Sequence, residues 1–153
     1  MRKLLIVVHC PSDNTRRLRD ALVKGASHPD LSEIDLKVCE PLKIGAEQVL
    51  WADAIILGTT ENFGYMSGAM KDFFDRIYYP CLEQTQALPC AVAIRAGLDG
   101  TGTKIAIKKI LTGLQWKLVQ EPLISKGDFS ESFLADWETL GMTVAAGLEA
   151  GIY

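Results

Sequence analysis

Residues 3–25 read KLLIVVHCPSDNTRRLRDALVKG, and the reading of this stretch decides the fold. Lys3 to Val8 is an unbroken β-favouring apolar run with no two-fold alternation, the pattern of a strand covered on both faces within a parallel sheet. After a polar loop, Cys10 to Asn14, the apolar residues Leu18, Ala21 and Leu22 recur at helical spacing, while Arg16, Arg17, Arg19 and Asp20 take the other face. Gly25 is placed to end this helix.

The same alternation continues outward along the chain. Ile34 to Val38 alternates more and reads as a strand nearer an edge; a short helix around Ala46 to Trp51 precedes a second buried run, Ala54 to Leu57. Met70, Phe73, Phe74 and Ile77 form the stripe of a helix that Pro80 stops, and Ala91 to Ile94 is a further buried strand. Ala106, Ile107, Ile110, Leu111 and Leu114 predict a helix, and Lys117 to Ile124 the last strand. The final helix begins near Asp128, whose spacing to Glu131 fits a capping box, and buries Phe133, Trp137, Leu140, Val144 and Leu148. Strands alternating with helices predict a three-layer α/β sandwich, a doubly wound, mostly parallel sheet with helices on both faces.

The chain has 153 residues, the size of one domain spanning 1–153, and it can bury about 68–70% of its unfolded surface. Hydrophobic residues are 48% and charged residues 23%, which excludes disorder as the main state. Sixteen Lys+Arg against nineteen Asp+Glu leave a formal charge of −3, so no global basic field draws nucleic acid or an anionic membrane. The apolar run after Met1-Arg2-Lys3 is shorter than a signal peptide's core, and no stretch is long enough to span a membrane. Cys10, Cys39, Cys81 and Cys90 form no Cys-x-x-Cys pair, so reduced thiols, a cytoplasmic location and no structural metal are expected. Cys10 and Cys39 fall at the ends of neighbouring strands, where a redox pair is conceivable, although buried cysteine ordinarily only packs.

In a doubly wound sheet, ligands bind beyond the carboxyl ends of the strands where strand order reverses. The loops to weigh are His9 to Thr15, Thr59 to Gly68 and Arg95 to Thr103. A dinucleotide-binding glycine fingerprint is absent, since no glycine precedes Gly25, and Gly97 with Gly102 puts Lys104 one position late for a Walker A loop. A phosphate-accepting receiver would want carboxylates where this chain has His9, Cys10 and Thr59.

The first loop can instead surround one phosphate: Ser12, Asn14 and Thr15 can donate, with a helix dipole behind them. The same residues would equally serve as a plain N-cap. The second loop mixes Asn62, Phe63, Gly64 and Tyr65, which suits a flat heteroaromatic ligand, though a satellite hydrophobic cluster has the same composition. The third loop, RAGLDGTG from Arg95 to Gly102, could supply main-chain amides to a ligand's far edge or serve as a mobile turn.

The stretch GTTENFGYMSGAMKDFFDR, Gly58 to Arg76, closely resembles the corresponding loop and helix of the flavodoxin family that includes NAD(P)H-dependent FMN reductases and WrbA-type quinone reductases. CPSDNTRRL resembles that family's phosphate loop, except that Cys10 stands where serine is common and Asp13 where glycine is common. The resemblance spans the chain and implies a five-stranded parallel sheet of order 2-1-3-4-5 and FMN as cofactor. It implies FMN phosphate on Cys10, Ser12, Asn14 and Thr15, and the isoalloxazine ring along Thr60, Glu61, Asn62, Phe63 and Gly64. Ala96, Gly97, Gly100, Thr101 and Gly102 would close the other side. Glu61 near the ring would disfavour its anionic reduced form.

The activity this implies is electron transfer from NAD(P)H to a quinone, free flavin or other small acceptor, with a second copy of the chain as an expected partner. It needs no protein nucleophile, and no catalytic or metal-ligating residue is nominated. A flavodoxin-type carrier without its own substrate site and a flavin-free binding module are the alternative readings.

Overall fold

The computed structural model describes residues 1–153. Seven strands, β1 (Arg2–Val8), β2 (Ile34–Cys39), β3 (Ala54–Asn62), β4 (Tyr65–Met66), β5 (Pro89–Ala96), β6 (Lys117–Leu118) and β7 (Leu123–Lys126), form one sheet. Five α-helices accompany them: α1 (Asp13–Ala26), α2 (Ala46–Trp51), α3 (Gly68–Cys81), α4 (Thr101–Leu114) and α5 (Ser132–Glu149). The parallel order is β2-β1-β3-β5-β6, with β7 continuing β6's position beside β5, which is the expected 2-1-3-4-5 arrangement. Only β4 is antiparallel, as the return strand of a hairpin with β3. No helix is long and apolar enough to cross a membrane.

Alternation along the central strands splits the interior into two cores. Leu5 and Val7 of β1 face α2, α3 and α4, together with Ile55, Leu57, Val92, Phe73 and Ile107. Leu4, Ile6 and Val8 face α1 and α5, with Ile56, Leu18, Leu22, Trp137 and Val144. Cys10 packs in the second core and Cys39 against the first, so the sheet itself lies between the two thiols that the sequence allowed as a redox pair.

Four expectations are corrected. Gly25 does not end α1; it lies inside the helix, where a Cβ would meet the Glu138 carbonyl oxygen at 1.9 Å, so its missing side chain lets α5 approach. Pro80 does not stop α3 but sits in its last turn, because the helix closes at Cys81 with the Leu82 N–H on the Tyr78 carbonyl. The expected last strand is two short pieces, β6 and β7; after the Val119 N–H, which still donates to the Cys90 carbonyl at 3.0 Å, Pro122 has no N–H to offer and stands just before β7. The last helix starts at Ser132 and Asp128 does not cap it; Glu131, at its N-cap, turns its carboxylate to Arg17 of α1 at 2.7 Å.

Candidate functional site

Three segments meet beyond the carboxyl ends of β1, β3 and β5. The first is the turn from β1 into α1. Ser12 is the N-cap in extended conformation, and it forms a capping box with Thr15: the Thr15 N–H donates to Ser12 Oγ at 3.2 Å and the Ser12 N–H to Thr15 Oγ1 at 3.0 Å. Both readings of these residues therefore hold in one structure, since the hydroxyls cap the helix and also lie at its positive end. The N–H groups of Cys10, Asp13 and Asn14 donate to no group of the protein, and the exposed Asn14 side chain is equally unpaired. Those donors, aligned with the dipole of a long helix, are what an anion needs.

Cys10 contributes only its main chain to this set, because its thiol turns back to the Val8 carbonyl at 3.7 Å, and burial pushes its pKa up. Asp13 pairs with Arg16, Arg17 with Glu131, and Arg19 with Asp20, so each of the three arginines already has a carboxylate partner.

The second segment, expected as an open loop, is a β-hairpin. β3 continues through Asn62, and Asn62 pairs with Tyr65 across a two-residue turn of Phe63 (φ 53°) and Gly64 (φ 74°). Positive φ at both turn residues is the requirement of a type I′ hairpin, which Phe meets at a steric cost. Its side chain is fully exposed. Thr60 Oγ1 donates to Asn62 Oδ1 at 2.9 Å, stiffening the outgoing strand. At the hairpin's base the buried Thr59 Oγ1 accepts the Ser67 N–H at 3.0 Å, and Ser67 in turn caps α3 through Met70 N at 3.2 Å. Thr59 and Ser67 thus set the direction of the hairpin; sequence reading passed over both, although Ser67 three residues before Met70 is an N-cap spacing.

The third segment, Gly97 to Gly100, runs from β5 into α4. Ala96 is buried, and its carbonyl accepts from the Arg95 guanidinium at 2.6 Å and from the Gly127 N–H at 3.0 Å. Arg95 also stacks near the rings of Phe129 and Phe133, at 5.9 and 5.1 Å, so the start of the segment is anchored to the last helix's entry. Gly97 is open, with no atom within 4 Å of where a Cβ would stand. Gly100 has φ 70° and opens α4, and the Thr101 N–H is held by Asp99 Oδ1 at 3.1 Å. A Cβ on Gly102 would lie 2.2 Å from the Gly64 carbonyl oxygen.

Glu61 joins the second and third segments. Its two carboxylate oxygens accept the N–H groups of Leu98 and Gly100 at 3.1 and 2.8 Å. All the nominated residues therefore gather at one rim of the sheet, but Glu61 faces the third segment's backbone, and the N–H groups of Gly97 and Asp99 are the ones left unpaired there.

Two buried polar atoms nearby have no partner, His9 Nδ1 and Thr103 Oγ1. His9 lines a cleft of about 180 Å³ with Glu40, Lys43 and Ala69, and burial lowers its pKa more than Glu40 raises it. A larger groove of about 420 Å³ lies elsewhere, between the β6–β7 connection and α5, and has none of the unpaired main-chain donors described above.

The donor set at α1, the two glycine-bearing segments opposite it and the empty space beside Gly64 and Gly97 fit a nucleotide with a terminal phosphate and a flat ring. The family model for NADPH-dependent FMN reductase matches residues 16–129. A flavodoxin from Aquifex aeolicus (strain VF5) is 33% identical over 116 residues, covering 74% of this chain and 60% of that protein. Among solved structures, a flavodoxin from the domain Archaea superposes with a TM-score of 0.77 at 19% identity, covering 96% of this chain and 99% of the other. A flavodoxin, WrbA-like protein from Agrobacterium tumefaciens gives 0.74 at 19% identity, covering 98% and 99%.

Proposed function

The chain belongs to the NADPH-dependent FMN reductase family, and on that premise we propose that it is an oxidoreductase passing electrons from NAD(P)H to a quinone, a free flavin or a similar small acceptor. FMN is its cofactor. When bound, FMN accepts a hydride and releases electrons singly or in pairs.

The residues of this chain bind and orient. Asn14, the N–H groups of Cys10, Asp13 and Asn14, and the hydroxyls of Ser12 and Thr15 would hold the phosphate. The hairpin from Thr60 to Gly64 and the segment from Ala96 to Gly102 would flank the ring and exclude water from its faces. The observation that carries this reading is the group of unpaired N–H donors at the start of α1, on the same rim as two glycine-bearing segments.

The test is FMN titration followed by fluorescence quenching, then NAD(P)H oxidation with a quinone present. Saturable quenching with nicotinamide oxidation supports the reductase. Saturable quenching with no nicotinamide oxidation supports an electron carrier, and no quenching at all overturns the FMN reading. The carrier is a second reading because Phe63 and Leu98 stand exposed at the rim, an apolar surface suited to a protein partner.

A further inference from the structure

The contact of Glu61 with the third segment has a role that the fold does not require. Hairpins of this type hold their shape through ladder bonds and turn geometry, and Glu61 and Asn62 already supply the ladder. The Glu61 side chain does something else. Its two oxygens take the N–H groups of Leu98 and Gly100, two residues apart on a segment that follows a buried strand and opens a helix. A carboxylate accepting two amides in parallel presents the same pattern as the acceptor edge of a planar heterocycle. Leu98 and Gly100 are also where main-chain donors for a ligand's far edge were expected from sequence.

We propose that Glu61 is a positioning residue that acts as an internal competitor for the ring's acceptor edge: its carboxylate holds the Leu98 and Gly100 N–H groups in the free protein and gives them up when the ring enters. This rests on the FMN reading above. The free protein is thereby kept closed, with the hairpin tied to the third segment at its base by Glu61 and pressed on α4 at its tip by the Gly64–Gly102 contact. The cost of releasing a carboxylate from two charge-assisted bonds is taken from the binding of the flavin.

The experiment compares wild type with Glu61→Gln and Glu61→Ala, using riboflavin as well as FMN so that the phosphate's own ionisation plays no part. Glu61→Gln keeps the side-chain volume but sets an amide NH₂ against one of the two N–H donors. Both variants are expected to bind FMN and riboflavin about tenfold more tightly and to associate faster. Amide exchange supplies a readout independent of flavin: Leu98 and Gly100 are protected in the free wild type, Glu61→Ala loses that protection at both, and Glu61→Gln loses it at one of the two. Unchanged or weaker flavin binding by folded variants, or exchange at Leu98 and Gly100 that does not respond to the substitution, overturns the competition while leaving FMN binding intact. Failure of wild type to bind any flavin overturns the FMN reading and this proposal with it.

Discussion

Gly102 and Gly64 meet main chain to main chain: a Cβ on Gly102 would stand 2.2 Å from the Gly64 carbonyl oxygen, so the tip of the β3–β4 hairpin rests on the first turn of α4. The neighbour is backbone and cannot rotate away. Gly102→Ala is expected to lift the hairpin, at a cost of about 1–3 kcal/mol. Amide exchange should speed up at Tyr65 and Met66, with the unfolding midpoint lowered; an unchanged midpoint would show that the tip is free to move without penalty.

The crossing of α1 and α5 depends on a second pair of glycines. A Cβ at Gly25 would lie 1.9 Å from the Glu138 carbonyl oxygen, and one at Gly141 2.1 Å from that of Leu22. Alanine raises helix propensity by about 1 kcal/mol relative to glycine, which acts in the opposite direction. The backbone overlap outweighs it, so Gly25→Ala and Gly141→Ala should each destabilise by about 1–3 kcal/mol in urea unfolding. Because either change pushes the same helices apart, the double variant should lose less than the sum.

Phe63 gains no burial in return for its left-handed backbone. Phe63→Asn installs the residue pair most favoured in this turn and should stabilise the free protein by about 1 kcal/mol. If the ring is flanked by Phe63, the same variant should weaken FMN binding by about threefold to tenfold. A rise in stability with no change in FMN affinity would remove Phe63 from the binding surface.

Asp13 places a carboxylate at the first position of α1, beside the unpaired N–H groups, with Arg16 as its partner. A carboxylate there favours the helix but opposes a bound dianion. Asp13→Asn should tighten FMN binding about threefold to tenfold at low salt, less at high salt, and leave riboflavin binding unchanged. Equal effects on both flavins would mean that Asp13 does not face the phosphate.

A buried thiol and a half-buried imidazole bend the stability profile in opposite directions. Burial pushes the Cys90 thiol up to about 12, from its ordinary value of 9.0. The folded state therefore holds its proton where the unfolded chain releases it, so this contribution is complete below pH 9 and is lost as pH climbs toward 12. His9 is shifted down, so its contribution is present above its ordinary value of 6.5 and is lost as pH falls through its lower folded value. Cys90→Ala should flatten the alkaline limb of urea midpoint against pH, and His9→Asn the acid limb. Under mild oxidant no Cys10–Cys39 disulfide should form, which mass spectrometry of peptide fragments reads directly.

The architecture was legible because it rests on periodicity. An unbroken apolar run from Lys3 to Val8 can be satisfied only by cover on both faces, and the 3.6-residue stripes that follow each run supply that cover. Helix α2 fell on the predicted residues 46–51, and the rim that carries the candidate site follows from strand polarity alone. The capped turn into α1 was legible for a similar reason, since an N-cap and its neighbours are within four residues of one another.

What the one-dimensional string left undecided are contacts between segments far apart in it. Glu61 reads as an ordinary polar loop residue until β5 is placed beside β3, which brings the Leu98 and Gly100 N–H groups to its two oxygens. Gly25 reads as a helix stop because glycine does end helices; only α5, more than a hundred residues later, supplies the carbonyl that makes it a crossing point. Local chemistry is encoded by neighbours in sequence and so determined the layers, strand polarity and the capped turn that opens α1. The identity of each donor's partner depends on distances that exist only after the chain has closed on itself, and the tertiary structure alone decided those.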